Sequence, residues 1–141
     1  MALNKNQKTN IGLVFASLAS IVSGVLLHIA GHTGNHSVWE LWAVVHSVVS
    51  MGFLVLIIVH LKQHKGWLAS FRNKMRICTS QGRMFIVLSL FSMLTVCSGL
   101  VLLGIMNDHS LIGLWHYKIG IIFAGVAIAH MVRKHKVIRG K

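Results

Sequence analysis

Four long apolar stretches, separated by shorter polar segments, dominate the hydropathy pattern of the chain. They cover about residues 11–30, 39–61, 84–106 and 110–132. A helix needs roughly 20 consecutive apolar residues to cross the hydrocarbon core of a bilayer, and each stretch reaches that length. The composition agrees, since 55% hydrophobic residues and a mean hydropathy of +0.70 are too apolar for an ordinary soluble domain. We therefore predict an all-α integral membrane protein, in which residues 1–141 form one domain of four transmembrane helices packed as a bundle.

The distribution of basic residues predicts how these helices cross the membrane. The chain carries a formal net charge of +12, and most lysines and arginines lie at the N-terminus, in the loop of residues 62–83 and in the C-terminal tail. Four spans place these segments on one side, whereas the two acidic residues, Glu40 and Asp108, belong to the other two loops. The positive-inside rule then predicts that both termini lie in the cytoplasm. This placement favours membrane topology over nucleic-acid binding as the reason for the charge, and a basic inner face also suits anionic lipid.

An internal repeat relates the two halves of the chain. Residues 46–60 and 116–130 both begin and end with histidine, and they align at an offset of 70. In the spans that precede them, the Ser-Gly pair at Gly24 aligns with the pair at Gly99 at an offset of 75. We therefore predict two helical hairpins of one plan, joined by the basic loop. Four ionisable side chains align in the repeat: His46, His60, His116 and His130. Ionisable side chains within a membrane are energetically costly and indicate function.

The spacing of these histidines predicts two levels of paired imidazoles. Fourteen residues separate the two histidines of each segment, which corresponds to about 21 Å along the helix axis and nearly four full turns. Both rings of one helix therefore lie on the same face. The second and fourth spans run in the same direction across the membrane. If these helices face each other, His46 comes level with His116, and His60 comes level with His130.

Two imidazoles that face each other across a helical bundle suit a six-coordinate haem iron. Zinc and copper usually require three or four protein donors at one point. We therefore predict two haem groups, with His46 and His116 as ligands of the outer iron and His60 and His130 as ligands of the inner iron. A Cys-x-x-Cys-His motif is absent from the sequence, so the haems are expected to be bound non-covalently. The predicted function is electron transfer, and the alternatives are a histidine-based transition-metal transporter and a non-redox membrane anchor subunit.

Three further intramembrane positions are secondary candidates. Gly24 and Gly99 could clear space for a flat cofactor ring, or they could instead allow the helices to pack closely. His28 has no counterpart in the second half, where Leu103 takes the corresponding place. It could contact a quinone or a haem propionate, or act as an alternative ligand, and a packed structural ring is an equal alternative.

The remaining histidines lie near the ends of the spans. His64 follows His60 by four residues, and His135 follows His130 by five. Both are alternative ligands of the inner iron, and His64 is the stronger one because a spacing of four keeps it on the helical face of His60. The others are expected to be solvated side chains of the outer loops: His32, His36 and His109.

A family resemblance is carried by four runs of sequence: LWAVVHSVVSMGFLVLIIVHLKQHKGW, SGVLLH, SGLVLLG and GLWHYKIGIIFAGVAIAH. Together they resemble the small bacterial four-helix membrane proteins described as flavinylation-associated cytochromes, over about residues 12–135. The paired histidines also look like those of the four-helix haem core of cytochrome b. The resemblance implies two b-type haems held by the paired histidines, with Gly24 and Gly99 at ring-clearing positions. It also implies electron passage across the inner membrane beside extracytoplasmic flavin-carrying proteins. Oxidation of quinol, as in a quinone oxidoreductase, is a further expectation.

Overall fold

The structure of the chain, a computed structural model, describes residues 4–66, 69, 79–105 and 111–139, except for the side chains of residues 105 and 134–139. Four long α-helices follow one another within these ranges: α1 (Lys5–His32), α2 (His36–Gln63), α3 (Ser80–Ile105) and α4 (Leu111–Arg139). All four are long and apolar enough to cross a membrane. The prediction of an all-α chain with four membrane-length helices is therefore confirmed for the described residues.

The helices extend beyond the apolar stretches, because capping residues decide where they begin. Asn4 precedes α1 in a capping box: its side chain accepts a hydrogen bond from the Gln7 N–H at 2.8 Å, and its own N–H donates to the Gln7 side chain at 3.0 Å. Asn35 caps α2, where its side chain accepts from the Val38 N–H at 3.3 Å. Each helix therefore includes polar residues that hydropathy assigns to a loop.

A tight turn joins α1 to α2. Only residues 33–35 separate the two helices, and Gly34 has a φ of +70°, in the left-handed region that other residues enter at a cost. The prediction that His32 and His36 belong to an outer loop is therefore wrong. His32 is the last residue of α1, and His36 is the first residue of α2. His109 lies outside the described residues.

Two helical hairpins make up the fold. The chain divides into two compact units, Met1–Arg72 and Asn73–Lys141. In the first unit α1 packs against α2, and in the second α3 packs against α4. Each unit is thus a hairpin of the kind that the internal repeat predicts, and each contains one copy of the repeated histidine segment.

The outer surface of the helices is apolar and their seam is made of small residues. Large hydrophobic side chains are exposed on every helix, among them Phe15, Val48, Met93 and Leu111. Such surfaces are compatible with contact with the lipid bilayer. The buried side chains among the described residues are small and lie on α1: Thr9, Ser17, Ser23 and Ala30. Small residues let two helix backbones approach closely, which brings the side chains of α2 against α1.

Candidate functional site

The first hairpin holds the ring of His46 against a serine of the neighbouring helix. The Nδ1 atom of His46, on α2, lies 3.1 Å from the Oγ atom of Ser23, on α1. Ser23 is only 3% exposed, so this contact lies in the seam between the helices. The same Oγ also donates a hydrogen bond to the backbone carbonyl of Ser20 at 3.1 Å. A hydroxyl has one proton to donate, so the Ser23 Oγ accepts from His46 when that proton is directed to the Ser20 carbonyl.

The second hairpin repeats this contact. The Nδ1 atom of His116, on α4, lies 2.8 Å from the Oγ atom of Ser98, on α3. The hydroxyl of Ser98 donates within its own helix, where the carbonyl oxygens of Leu94 and Thr95 lie at 2.8 and 3.1 Å. When its proton is directed to either carbonyl, the Oγ of Ser98 accepts from the histidine. The two hairpins thus build the same serine–histidine hydrogen bond from residues at corresponding positions of the repeat.

Both contacts join the same ring nitrogen to a serine hydroxyl. Where the serine oxygen accepts from the ring, the histidine carries its proton on Nδ1, and a neutral ring then has its lone pair on Nε2. Histidines that bind a metal commonly donate their other ring N–H to an oxygen, which fixes the tautomer and the orientation of the ring. In that tautomer each ring would offer Nε2 as a ligand to a metal ion.

A glycine beside each serine makes room for the histidine ring. A Cβ atom added at Gly24 would lie 3.0 Å from Cε1 of His46, and one added at Gly99 would lie 3.1 Å from Cε1 of His116. Ordinary van der Waals contact begins near 3.4 Å, so a side chain at either position would press on the imidazole. The repeated Ser-Gly pair therefore has two parts: the serine accepts the Nδ1–H, and the glycine admits the ring. Contact of these glycines with a cofactor ring stays a prediction.

His60 and His130, the predicted inner ligands, are half-buried on α2 and α4. The ring of His60 lies 4.7 Å from the ring of His64, centroid to centroid, at an interplanar angle of 57°. His64 directly follows α2, and its backbone N–H still donates to the carbonyl of His60 at 3.2 Å. The two rings therefore lie together on one side of α2, as their spacing predicts. The side chain of His135 lies outside the described residues, and the assignment of the inner ligands stays a prediction.

Positions 63 and 133, which align in the repeat, each form a hydrogen bond to the neighbouring helix. These bonds lie near the start of α1 and of α3, far from the serine–histidine contacts. Gln63 of α2 donates from Nε2 to the Oγ1 atom of Thr9 on α1 at 2.8 Å. Arg133, which is 70 residues further along the chain, donates to the Oγ atom of Ser80 at the start of α3. The sequence did not predict these contacts, although residue 63 aligns with residue 133 in the repeat.

The end of the first hairpin that contains the turn gathers several ionisable side chains. The rings of His28 and His32 meet edge to face, with centroids 4.8 Å apart. Beyond the turn, Nδ1 of His36 lies 3.3 Å from Oε1 of Glu40, and both side chains are exposed. His28 is half-buried on α1, and its predicted contact with a quinone or a propionate stays a prediction.

Comparison of the chain with protein-family models, with curated proteins and with solved structures finds no match. The resemblance to flavinylation-associated cytochromes therefore rests on the sequence runs quoted above, and it stays a prediction. The described residues contain no group of three or more His, Cys, Asp or Glu side chains arranged to hold a metal ion. The feature that the two hairpins share is an imidazole hydrogen-bonded to a serine of the neighbouring helix.

Proposed function

We propose that the chain is a dihaem b-type cytochrome that carries electrons across the bacterial inner membrane. In this proposal His46 and His116 bind the outer haem iron, and His60 and His130 bind the inner one. The observation that carries the proposal is the hydrogen bond between a histidine Nδ1 and a serine hydroxyl, which occurs once in each hairpin. A histidine that only fills space between helices has no need of the same serine contact and the same adjacent glycine in both halves of the chain.

The serine contact prepares the imidazole to bind a metal ion. It keeps the lone pair of the neutral ring on Nε2, and it restricts rotation of the ring about the bonds that join it to α2 or α4. A hydrogen bond donated by the other ring nitrogen also makes the imidazole a more basic ligand. Ser23 and Ser98 are therefore positioning residues in this proposal, while His46 and His116 are the ligands.

The remaining parts of the repeat support two sites in each chain. Haem, when bound, supplies reversible one-electron chemistry. The helical rise separates the two histidines of each segment by about 21 Å along the axis, which gives one level near each edge of the membrane. Gly24 and Gly99 carry no side chain that would displace the imidazole rings of His46 and His116. The surrounding apolar helices exclude water from the ligands, and the low polarity of these surroundings tunes the potential of each site.

In the proposal, electrons are exchanged with partners at the membrane surfaces. A quinone is the proposed small-molecule partner, and His28 beside His32 is where it would be bound. An extracytoplasmic flavoprotein is the proposed protein partner, because the sequence resembles cytochromes associated with such proteins. The proposed orientation, with both termini in the cytoplasm, follows from the distribution of lysine and arginine along the chain.

Absorption spectroscopy of the purified protein, before and after reduction with dithionite, tests the proposal. Reduction is expected to sharpen the bands of a b-type haem. His46→Ala and His116→Ala are each expected to lower the bound haem by about half, because each removes a ligand of the same iron. His36→Ala is the control, since His36 is exposed beside the turn and contacts Glu40, and it should retain all the haem.

Two other outcomes would replace the proposal. Purified protein that contains zinc or copper but no porphyrin absorbance would favour the transition-metal transporter. Colourless protein that contains no metal and tolerates alanine at His46, His60, His116 and His130 would favour the membrane anchor subunit.

A further inference from the structure

A cavity opens between α3 and α4 at the end of the second hairpin where α3 begins. It is open to the surroundings and has a volume of about 380 Å³. Met84, Val87 and Val126 give it apolar walls, and the side chains of Arg83 and Arg133 line it as well. Both arginines are exposed. The cavity therefore combines a hydrocarbon surface with two positive charges that a ligand can reach.

Arg133 is held in place by a hydrogen bond across the cavity. Its guanidinium donates to the Oγ atom of Ser80 on α3. A guanidinium has five N–H donors in a planar fork, so one bond to a serine leaves most of this capacity for a ligand. Neither α3 nor α4 contains an acidic residue, and the two arginines are therefore not neutralised by their own helices.

The first hairpin closes the corresponding region with different side chains. By the alignment of the repeat, Gly12 and Leu56 take the places of Val87 and Val126. A methyl carbon of Leu56 lies 3.6 Å from the position that a Cβ of Gly12 would take, so the leucine packs directly against the backbone of α1. Gln63, at the place of Arg133, bonds to Thr9. The cavity with its arginine pair is thus a property of the second hairpin, where the two copies of the repeat have diverged.

We infer that this cavity binds an anionic phospholipid, with its phosphate at Arg83 and Arg133 and an acyl chain against Met84, Val87 and Val126. Arginine matches the oxygen atoms of a phosphate in a bidentate manner. Basic residues at a membrane surface attract anionic lipid over zwitterionic lipid, and apolar walls beside the charges suit the hydrocarbon chain of the same molecule. The inference does not depend on the haem proposal, because no residue that lines the cavity is a proposed haem ligand.

Native mass spectrometry of the full chain in detergent tests the inference. Phosphatidylglycerol and phosphatidylcholine with identical acyl chains are added in turn, and the lipid adducts are counted. The parent protein is expected to bind phosphatidylglycerol in preference. The double variant Arg83→Gln/Arg133→Gln should weaken phosphatidylglycerol binding at least about tenfold, because it removes the charge-assisted bonds. The control Lys5→Gln/Lys8→Gln removes the same charge from the corresponding end of the first hairpin, and it should retain the binding.

A second variant tests the apolar part of the site while all charges remain. Val126→Leu/Ala129→Val introduces the residues that the first hairpin has at these positions, Leu56 and Val59. Filling the cavity in this way is expected to reduce phosphatidylglycerol binding, whereas inorganic phosphate should not displace the lipid from the parent protein. Circular dichroism checks that each variant keeps its helices. Equal binding of phosphatidylglycerol by the parent and both variants, or displacement of the lipid by inorganic phosphate alone, would overturn the inference.

Discussion

Replacement of Gly24 by alanine places a methyl group against the ring of His46. The added Cβ would lie 3.0 Å from Cε1 and 3.4 Å from Nδ1 of that ring, so the imidazole has to move away from α1 by a few tenths of an ångström. The same Nδ1 is hydrogen-bonded to the Oγ of Ser23 on α1 over a distance of 3.1 Å. The ring therefore cannot retreat without lengthening its hydrogen bond to the serine.

The size of the effect follows from three contributions. An extra carbon in a packed contact typically costs about 1–3 kcal/mol, and a weakened hydrogen bond adds about 1 kcal/mol. Alanine is favoured over glycine within a helix by about 1 kcal/mol, which opposes both. Gly52→Ala on α2 is the matched control, since nothing lies within 4 Å of its added Cβ. It gains only the helix contribution, so the two variants should differ by about 2–4 kcal/mol in free energy of unfolding, the sum of the two costs.

Denaturant unfolding in detergent, with haem content measured on the same samples, is the assay. Gly24→Ala is expected to be less stable than Gly52→Ala and to retain less haem. In the second hairpin Gly99→Ala should behave like Gly24→Ala, with Gly120→Ala as its control because its added Cβ also meets nothing within 4 Å. If Gly24→Ala and Gly52→Ala proved equally stable and retained equal haem, the glycine would not be needed to admit the histidine ring, and this reasoning would be refuted.

Three further predictions concern single side chains. Ser23→Ala removes the serine partner of His46 Nδ1 and should cost about 1 kcal/mol, the contribution of one hydrogen bond. Redox titration should also show a higher haem potential, because the imidazole becomes a less basic ligand, whereas Ser17→Ala, whose hydroxyl donates to a backbone carbonyl, should leave the potential unchanged. Gly34→Ala should lower the free energy of unfolding by about 1–2 kcal/mol, since a φ of +70° disfavours a Cβ; an unchanged melting temperature would contradict this. His60→Ala should lower haem content while His64→Ala does not, and the reverse result would make His64 the inner ligand.

Hydropathy predicted the four helices because a membrane span needs little more than sufficient apolar length. It did not predict their ends, which depend on single polar residues. Asn4 and Asn35 begin α1 and α2 before the apolar stretches start, so both helices extend well beyond the predicted spans. For the same reason His32 and His36 were assigned to a loop that is only three residues long in the structure.

The repeat made the site residues visible in the sequence, but not the contact between them. Ser23 and Gly24 recur as Ser98 and Gly99, which predicted a shared purpose for this pair. The hydrogen bond to His46 depends on how α1 is rotated about its axis relative to α2, and this rotation is set by packing along the whole seam. The sequence pattern that indicated this site is a serine followed by a glycine at aligned positions in both halves of the chain.

The ratio of haem to protein chain tests the central claim most directly. A pyridine haemochrome assay gives the amount of haem, and amino-acid analysis of the same sample gives the amount of protein. The account predicts two non-covalent b-type haems per chain, and one in the double variant His46→Ala/His116→Ala. A protein from haem-replete cells that contains no haem, or a ratio that the double variant leaves unchanged, would contradict it.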